Sequence, residues 1–279
     1  MKSPEQLKGA IRNIAQNNHL YPQEVLQMFL FERILERLSV SPYRDNFIIK
    51  GGLLISSMIG INERTTMDLD TTVRGITMEK TRIVQIMKEI MSINVGDGIE
   101  FEFRKIEPIR DDDTYNNYRV HIHALYGKMN NPMKIDITTG DKITPAAVEY
   151  SFPMMFEDKE VSIMAYSLET ILAEKYETIL RRNIANTRIR DFYDLYILFK
   201  LYRNMICRDL LKLAVEHTSA KRNSTTEIQE YEQICHEIRR EPALEKQWIN
   251  YALEHEYAGE LSYADVVQNV YDVGEYLRD

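Results

Sequence analysis

The segment FIIKGGLLISSMIGINERTTMDLDTT, residues 47–72, constrains the fold more than any other part of the chain. An apolar run ends at Lys50, two glycines follow, a second apolar run starts at once, and Asp-Leu-Asp returns just after an arginine. That order reads as strand, bare turn, helix, then a second strand. In extended backbone, residues two apart face the same way, so Asp68 and Asp70 project together while Met67, Leu69 and Thr71 face the other side. Two carboxylates held close repel each other unless a proton or a cation lies between them. Magnesium, or manganese in its place, suits such a pair, because it takes one or two carboxylates and fills its other positions with water and substrate phosphates.

A third acid follows from the same alternation. In PMKIDITTG, Asp136 alternates with Ile135 and Ile137, so it faces away from the core that the isoleucines enter. If this strand lies beside the one carrying Asp68 and Asp70, three carboxylates converge and can hold two metal ions about 4 Å apart, the clamp for in-line phosphoryl displacement. The glycines then gain a purpose. With no Cβ, Gly51 and Gly52 let their amides approach a triphosphate at the start of a helix, where the helix dipole favours an anion. Lys50 and Arg64 serve as phosphate partners or as countercharges for the acids.

Elsewhere the periodicity sets an α+β expectation. Apolar spacing predicts helices from Pro4 to about Ser39, divided at Tyr21-Pro22. Short strands are expected at Phe47, Thr66, Ile99, Tyr118 and Pro132, with a helix over 78–94 covering the sheet. After Met164 the pattern is helical, with Ser167 capping one helix and Asn186-Thr187 starting another. The expected organisation is N-terminal helices over 1–40, a catalytic core over 41–165 and a helical region over 166–279. His121 and His123 share a strand face, but no third ligand accompanies them to make a zinc site.

Charge is distributed unevenly. The net charge is −8, yet residues 224–279 hold 13 acidic and 4 basic side chains, so the rest of the chain is near neutral. Residues 171–223 carry 11 Lys and Arg against 6 Asp and Glu, a local excess that could meet nucleic-acid phosphates. No apolar run reaches the roughly 18 residues that cross a bilayer, and the N-terminal residues lack the apolar centre of a secretory leader. A cytoplasmic protein is the expectation.

The same residues carry a resemblance. FIIKGGLLISSMIG followed by ERTTMDLDTTV is similar to the strand, Lys-Gly-Gly, helix and Arg-x-Ser/Thr-x-Asp-Leu-Asp pattern of the AbiEii/AbiGii-type toxins, within the polymerase-β-like nucleotidyltransferase superfamily. KIDITTGD, LAEKYETILRR and RIRDFYDLYIL continue it in the family's order, over about residues 45–200. The wider superfamily has Gly-Ser where this chain has Gly51-Gly52, so backbone amides or Ser56 would have to support the phosphates. The resemblance implies a mixed-sheet nucleotidyltransferase core with a helical C-terminal region, in a toxin of an abortive-infection or toxin-antitoxin system. It also implies roles for Lys175 and Asp191, with Asp194 left undecided, and transfer of a nucleoside monophosphate from an NTP to an RNA acceptor. That acceptor is expected to be the 3′ end of tRNA, and the partner a winged-helix antitoxin.

Two other readings stay open on the residues alone. A metal-dependent nuclease can use the same acids but has no need of the glycine pair and Lys175. A non-catalytic protein-binding module with an acidic C-terminal region uses none of them.

Overall fold

The computed structural model describes residues 3–109 and 117–278. The chain forms two compact units: residues 1–141 with 147–165, and residues 142–146 with 166–279.

The first unit holds a seven-stranded mixed sheet. Its strands are β1 (Phe47–Lys50), β2 (Leu69–Val73), β3 (Glu100–Pro108), β4 (Tyr118–Tyr126), β5 (Met129–Thr139), β6 (Val148–Pro153) and β7 (Glu160–Ala165), in the order β3-β4-β5-β2-β1-β7-β6. The β2/β5 and β1/β7 pairs are parallel and the other four are antiparallel. Among the described residues this unit holds four helices: α1 (Pro4–Asn17), α2 (Pro22–Ser39), α3 (Gly51–Ile59) and α4 (Lys80–Ser92). Ser3 caps α1 in a capping box with Gln6, and Pro4 and Pro22 stand in first turns, where the missing N–H costs nothing. Ile34 and Leu38 of α2, Met87 and Ile90 of α4, and Ile49, Leu69, Thr71 and Ile135 of the sheet line one small interior space. The opposite sheet face is therefore the one that carries the polar partners of these alternating strands.

The sequence predicts a strand from Thr66, but pairing begins only at Leu69, so Asp68 stands just before β2. The hairpin β6–β7 is not anticipated at all. In β6 only Phe152 is buried, so no period shows there; β7 alternates, with Val161, Ile163 and Ala165 buried, but its place in the sheet comes from parallel pairing with β1.

The second unit is helical: α5 (Leu168–Arg182), α6 (Arg190–Tyr202), α7 (Arg208–Arg222), α8 (Thr225–Gln229), α9 (Tyr231–Arg240), α10 (Pro242–Glu254) and α11 (Tyr263–Arg278). Ser167 caps α5 as expected from sequence. Asn186 does not start α6; its side chain takes the Arg188 amide, and the helix opens at Arg190. No helix among the described residues is long and apolar enough to cross a membrane.

One buried acid in α2 gives the first unit a pH dependence. Both carboxyl oxygens of Glu32 face the Met155 amide, at 3.1 and 3.0 Å. Burial pushes the Glu32 pKa up to about 8, which that hydrogen bond and Arg33 offset only in part. A carboxyl that holds its proton more tightly when folded stabilises the fold below its unfolded pKa and loses that contribution as pH rises through the folded one. Stability should therefore decline from about pH 4.5 to about pH 8 by a few kcal/mol, at about 1.4 kcal/mol per pH unit. Glu32→Gln should flatten that decline and leave the variant more stable than the parent at pH 9, which urea denaturation at pH 5 and pH 9 would read. Parallel pH profiles for the two proteins would contradict this.

Candidate active site

Strand register builds the site. Lys50 of β1 pairs with Asp70 of β2, Asp70 with Asp136 of β5, Asp136 with Arg119 of β4, and Arg119 with Glu107 of β3. Five charged residues thus form one row across five neighbouring strands. Two carboxylates stand side by side at its centre with a cation on each flank, although like charges directly opposite each other are unfavourable in a sheet. The adjacency of Asp70 and Asp136 that sequence alternation supposes is therefore present in the backbone.

The flanking cations are held firmly. Arg119 donates through Nε to Oδ1 of Asp136 at 2.8 Å and through Nη2 to Oδ2 at 2.7 Å, a bidentate fork. The hydrogen bonds that Arg119 donates to Asp136 raise its pKa further, and the charges of Asp136, Asp68 and Glu107 act in the same direction. Lys50 Nζ lies 2.6 Å from Oδ2 of Asp141, which also accepts from Thr138 Oγ1 at 3.1 Å. Neither Arg119 nor Asp141 was singled out in the sequence. Arg119 was within reach: counting seven residues outward from Tyr126 and Met129, across the two-residue turn at Gly127-Lys128, pairs Arg119 with Asp136.

The glycines act in a way the sequence did not suggest. Gly51 has φ +66°, a left-handed conformation that favours glycine, and a Cβ there would lie 2.9 Å from the carboxyl carbon of Asp70. A Cβ on Gly52 would lie 2.6 Å from Thr66 Oγ1 and 2.8 Å from Nη2 of Arg64. The missing side chains make room for Asp70 and Arg64. Arg64 is 3% exposed, donates to the Thr65 carbonyl at 3.0 Å, and offers its own carbonyl to Ser56. Ser56 is thus occupied with the loop behind Asp68. A buried guanidinium beside the N-terminus of α3 makes this corner electropositive, which suits an anion.

The donor chemistry here suits a hard divalent cation. Asp68 is exposed, Asp70 is half-buried, and two carboxylates with phosphate and water oxygens satisfy magnesium. The third acid differs from the sequence expectation: both oxygens of Asp136 are taken by Arg119, and no group of three His, Cys, Asp or Glu side chains among the described residues is placed to hold a metal. His121 and His123 turn instead to Glu107 and Asn130.

In the second unit, Lys175 of α5 is buried. Its Nζ lies 2.6 Å from Asp191 and 2.7 Å from Asp194, both on α6, and Asp194 is fully enclosed. Arg188 holds the other oxygen of Asp191 at 2.8 Å. Asp194, left undecided by the sequence, joins the cluster on the same terms as Asp191. Nearby Glu177, also fully enclosed, draws in Arg181 at 2.7 Å and Arg222 at 2.6 Å. Lys175, Arg181, Arg188 and Arg222, four of the eleven basic residues over 171–223, are therefore countercharges for buried acids.

The charged row, the glycine turn and the mixed sheet define a nucleotidyltransferase-like protein. In fold the chain is similar to JHP933 from Helicobacter pylori, with a TM-score of 0.55 at 16% identity, covering 93% of this chain and 95% of that one. A protein of H. pylori given as a candidate nucleotidyltransferase is similar too, with a TM-score of 0.53 at 16% identity over 93% and 98% of the two chains. Among curated proteins none matches the sequence. The family is nonetheless defined: residues 33–272 match the profile of the nucleotidyl transferase AbiEii toxins of type IV toxin-antitoxin systems, and the chain belongs to that family. Membership carries nucleotidyl transfer as the general activity, a nucleotide substrate and an antitoxin partner.

Proposed function

We propose that this toxin transfers a nucleoside monophosphate from an NTP to the 3′ end of an RNA, with tRNA as the acceptor and growth arrest as the outcome. The observation that carries the proposal is the central Asp70–Asp136 pair of the charged row, seated against a glycine turn at a helix N-terminus. The α3 amides and Lys50 receive the triphosphate. Asp68 and Asp70 would hold a magnesium or manganese ion, whose contribution is to neutralise charge on the phosphates as the transition state forms. Asp136, oriented by Arg119, faces the attacking hydroxyl. The hydroxyl oxygen bonds to the α-phosphorus as its proton passes to water, the bond from the α-phosphorus to the β-phosphate oxygen breaks, and pyrophosphate leaves with that electron pair. Little covalent work falls to the protein, whose part is alignment and charge stabilisation. The family pattern gives Lys175 and Asp191 of the helical unit a part in the reaction as well. A winged-helix antitoxin would oppose the toxin in a cytoplasmic setting.

Incubating the full chain with total tRNA, magnesium and each labelled NTP in turn should yield RNA one or more nucleotides longer, together with pyrophosphate. Shortened RNA would assign the acids to a nuclease, and unchanged RNA with no pyrophosphate would leave a binding protein.

A further inference from the structure

Strand β5 extends past the start of β2. Its residues from Ile135 onward have β2 on one side, whereas Met129–Lys134 pair only with β4. The gap is a notch of about 220 Å³ with Asp68 and Met67 at one wall, Lys134, His121 and His123 along the strands, and Gln27 reaching in from α2. Its shape follows from the register, since Pro132 within β5 needs no hydrogen-bond partner on that open edge.

The notch has the chemistry of a base-binding site. Gln27 is 2% exposed and its Oε1 accepts from Asn131 at 2.9 Å, so its amide nitrogen is the polar atom left at the notch. Lys134 is exposed and makes no ion pair among the described residues. Glu107 and Asn130 fix the two imidazoles, at 2.7 and 2.6 Å, and Met67 and Met133 supply apolar wall. A volume of about 220 Å³ is below the roughly 300 Å³ at which pockets for drug-sized ligands begin, yet above the roughly 150 Å³ cavity that admits benzene. It matches the size of one heteroaromatic ring system and is small for a whole NTP or a base pair.

We propose that this notch binds the unpaired terminal base of the acceptor RNA, with Lys134 on the adjoining phosphate. Because Asp68 forms its rim, a strand end seated there presents its terminal hydroxyls to the acid pair. Single-stranded RNA ends are read in this way, by stacking on flat side chains and by hydrogen bonds to base edges. The inference rests on the transfer reaction proposed above, but its test does not use that reaction.

Fluorescence anisotropy without NTP or metal should compare a labelled acceptor-stem RNA hairpin bearing a single-stranded 3′ overhang with the same hairpin cut blunt. The protein should bind the overhang about tenfold more tightly, the scale of one stacked base plus a phosphate contact. Lys134→Glu with His123→Ala should abolish that difference and leave the affinity for a fluorescent NTP and the melting temperature unchanged. Equal binding of the two hairpins by the parent protein, a difference that survives the double substitution, equal binding of a DNA copy, or NTP affinity falling in parallel would each overturn the notch as an RNA site. RNA that binds through the overhang but is not extended by NTP would sink the transfer reaction and leave the notch standing.

Discussion

Asp70→Asn is expected to lower nucleotide transfer by about 10²–10³-fold or more, the scale for losing one preorganised charge-stabilising group, while leaving the fold intact. Asparagine keeps the shape that fits against Gly51 and removes one of two like charges standing side by side. Melting temperature should therefore hold or rise slightly, since relieving an opposed like-charge pair is worth about 0.2–1 kcal/mol. Gly51→Ala provides the companion. The left-handed conformation costs an alanine about 1–2 kcal/mol, and its methyl group meets the Asp70 carboxyl. If the glycine acts by seating Asp70, the double substitution should be no less active than Asp70→Asn alone, because both changes damage one element. If the Gly51 amide also grips phosphate by itself, the two losses should multiply. Pyrophosphate release and calorimetric melting measure all four proteins, and full activity in Asp70→Asn would remove the site altogether.

The local parts of this site were legible and the pairwise parts were not. Alternation placed Asp70 and Asp136 away from the core because Leu69, Ile135 and Ile137 had to enter it, and the structure buries all three. The glycine pair was recognisable as a strand-to-helix turn, but its reason was not. Only the β1–β2 register shows that Asp70 occupies the space a Cβ would fill. Arg119 was hidden by a different habit of reading, since a lone arginine in an alternating strand looks solvated until the hairpin count sets it opposite Asp136. Part of the basic excess over 171–223 has an electrostatic reason that the sequence does not show. Glu177 and Asp194 look like surface residues in a helical sequence, but both are enclosed and take up the neighbouring cations. Val161, Ile163 and Ala165 alternate and mark β7 as a strand, but its place in the sheet comes from a parallel partner far away in sequence.

Lys175→Met is expected to destabilise the protein by about 3–5 kcal/mol, the cost of breaking a buried ion pair by removing one partner. Methionine fills most of the space of the lysine stem, so little of this loss is a cavity. It comes from Asp194, which is fully enclosed and loses the lysine ammonium 2.7 Å away, and from Asp191, which retains Arg188. Against a total stability of about 5–15 kcal/mol for a typical domain, such a loss should lower the melting temperature by roughly 10 °C. Asp194→Asn in the Lys175→Met background should recover much of it, because an amide in the same place carries no charge to strand. The rescue separates the two roles of the lysine. If Lys175 only neutralises the aspartates, the rescued double variant should regain both stability and transfer activity. If its ammonium also meets the triphosphate, stability should return while the KM for NTP stays high, since no neutral side chain replaces a fixed positive charge on a phosphate. A Lys175→Met protein as stable as the parent would mean that the two acids do not depend on the lysine.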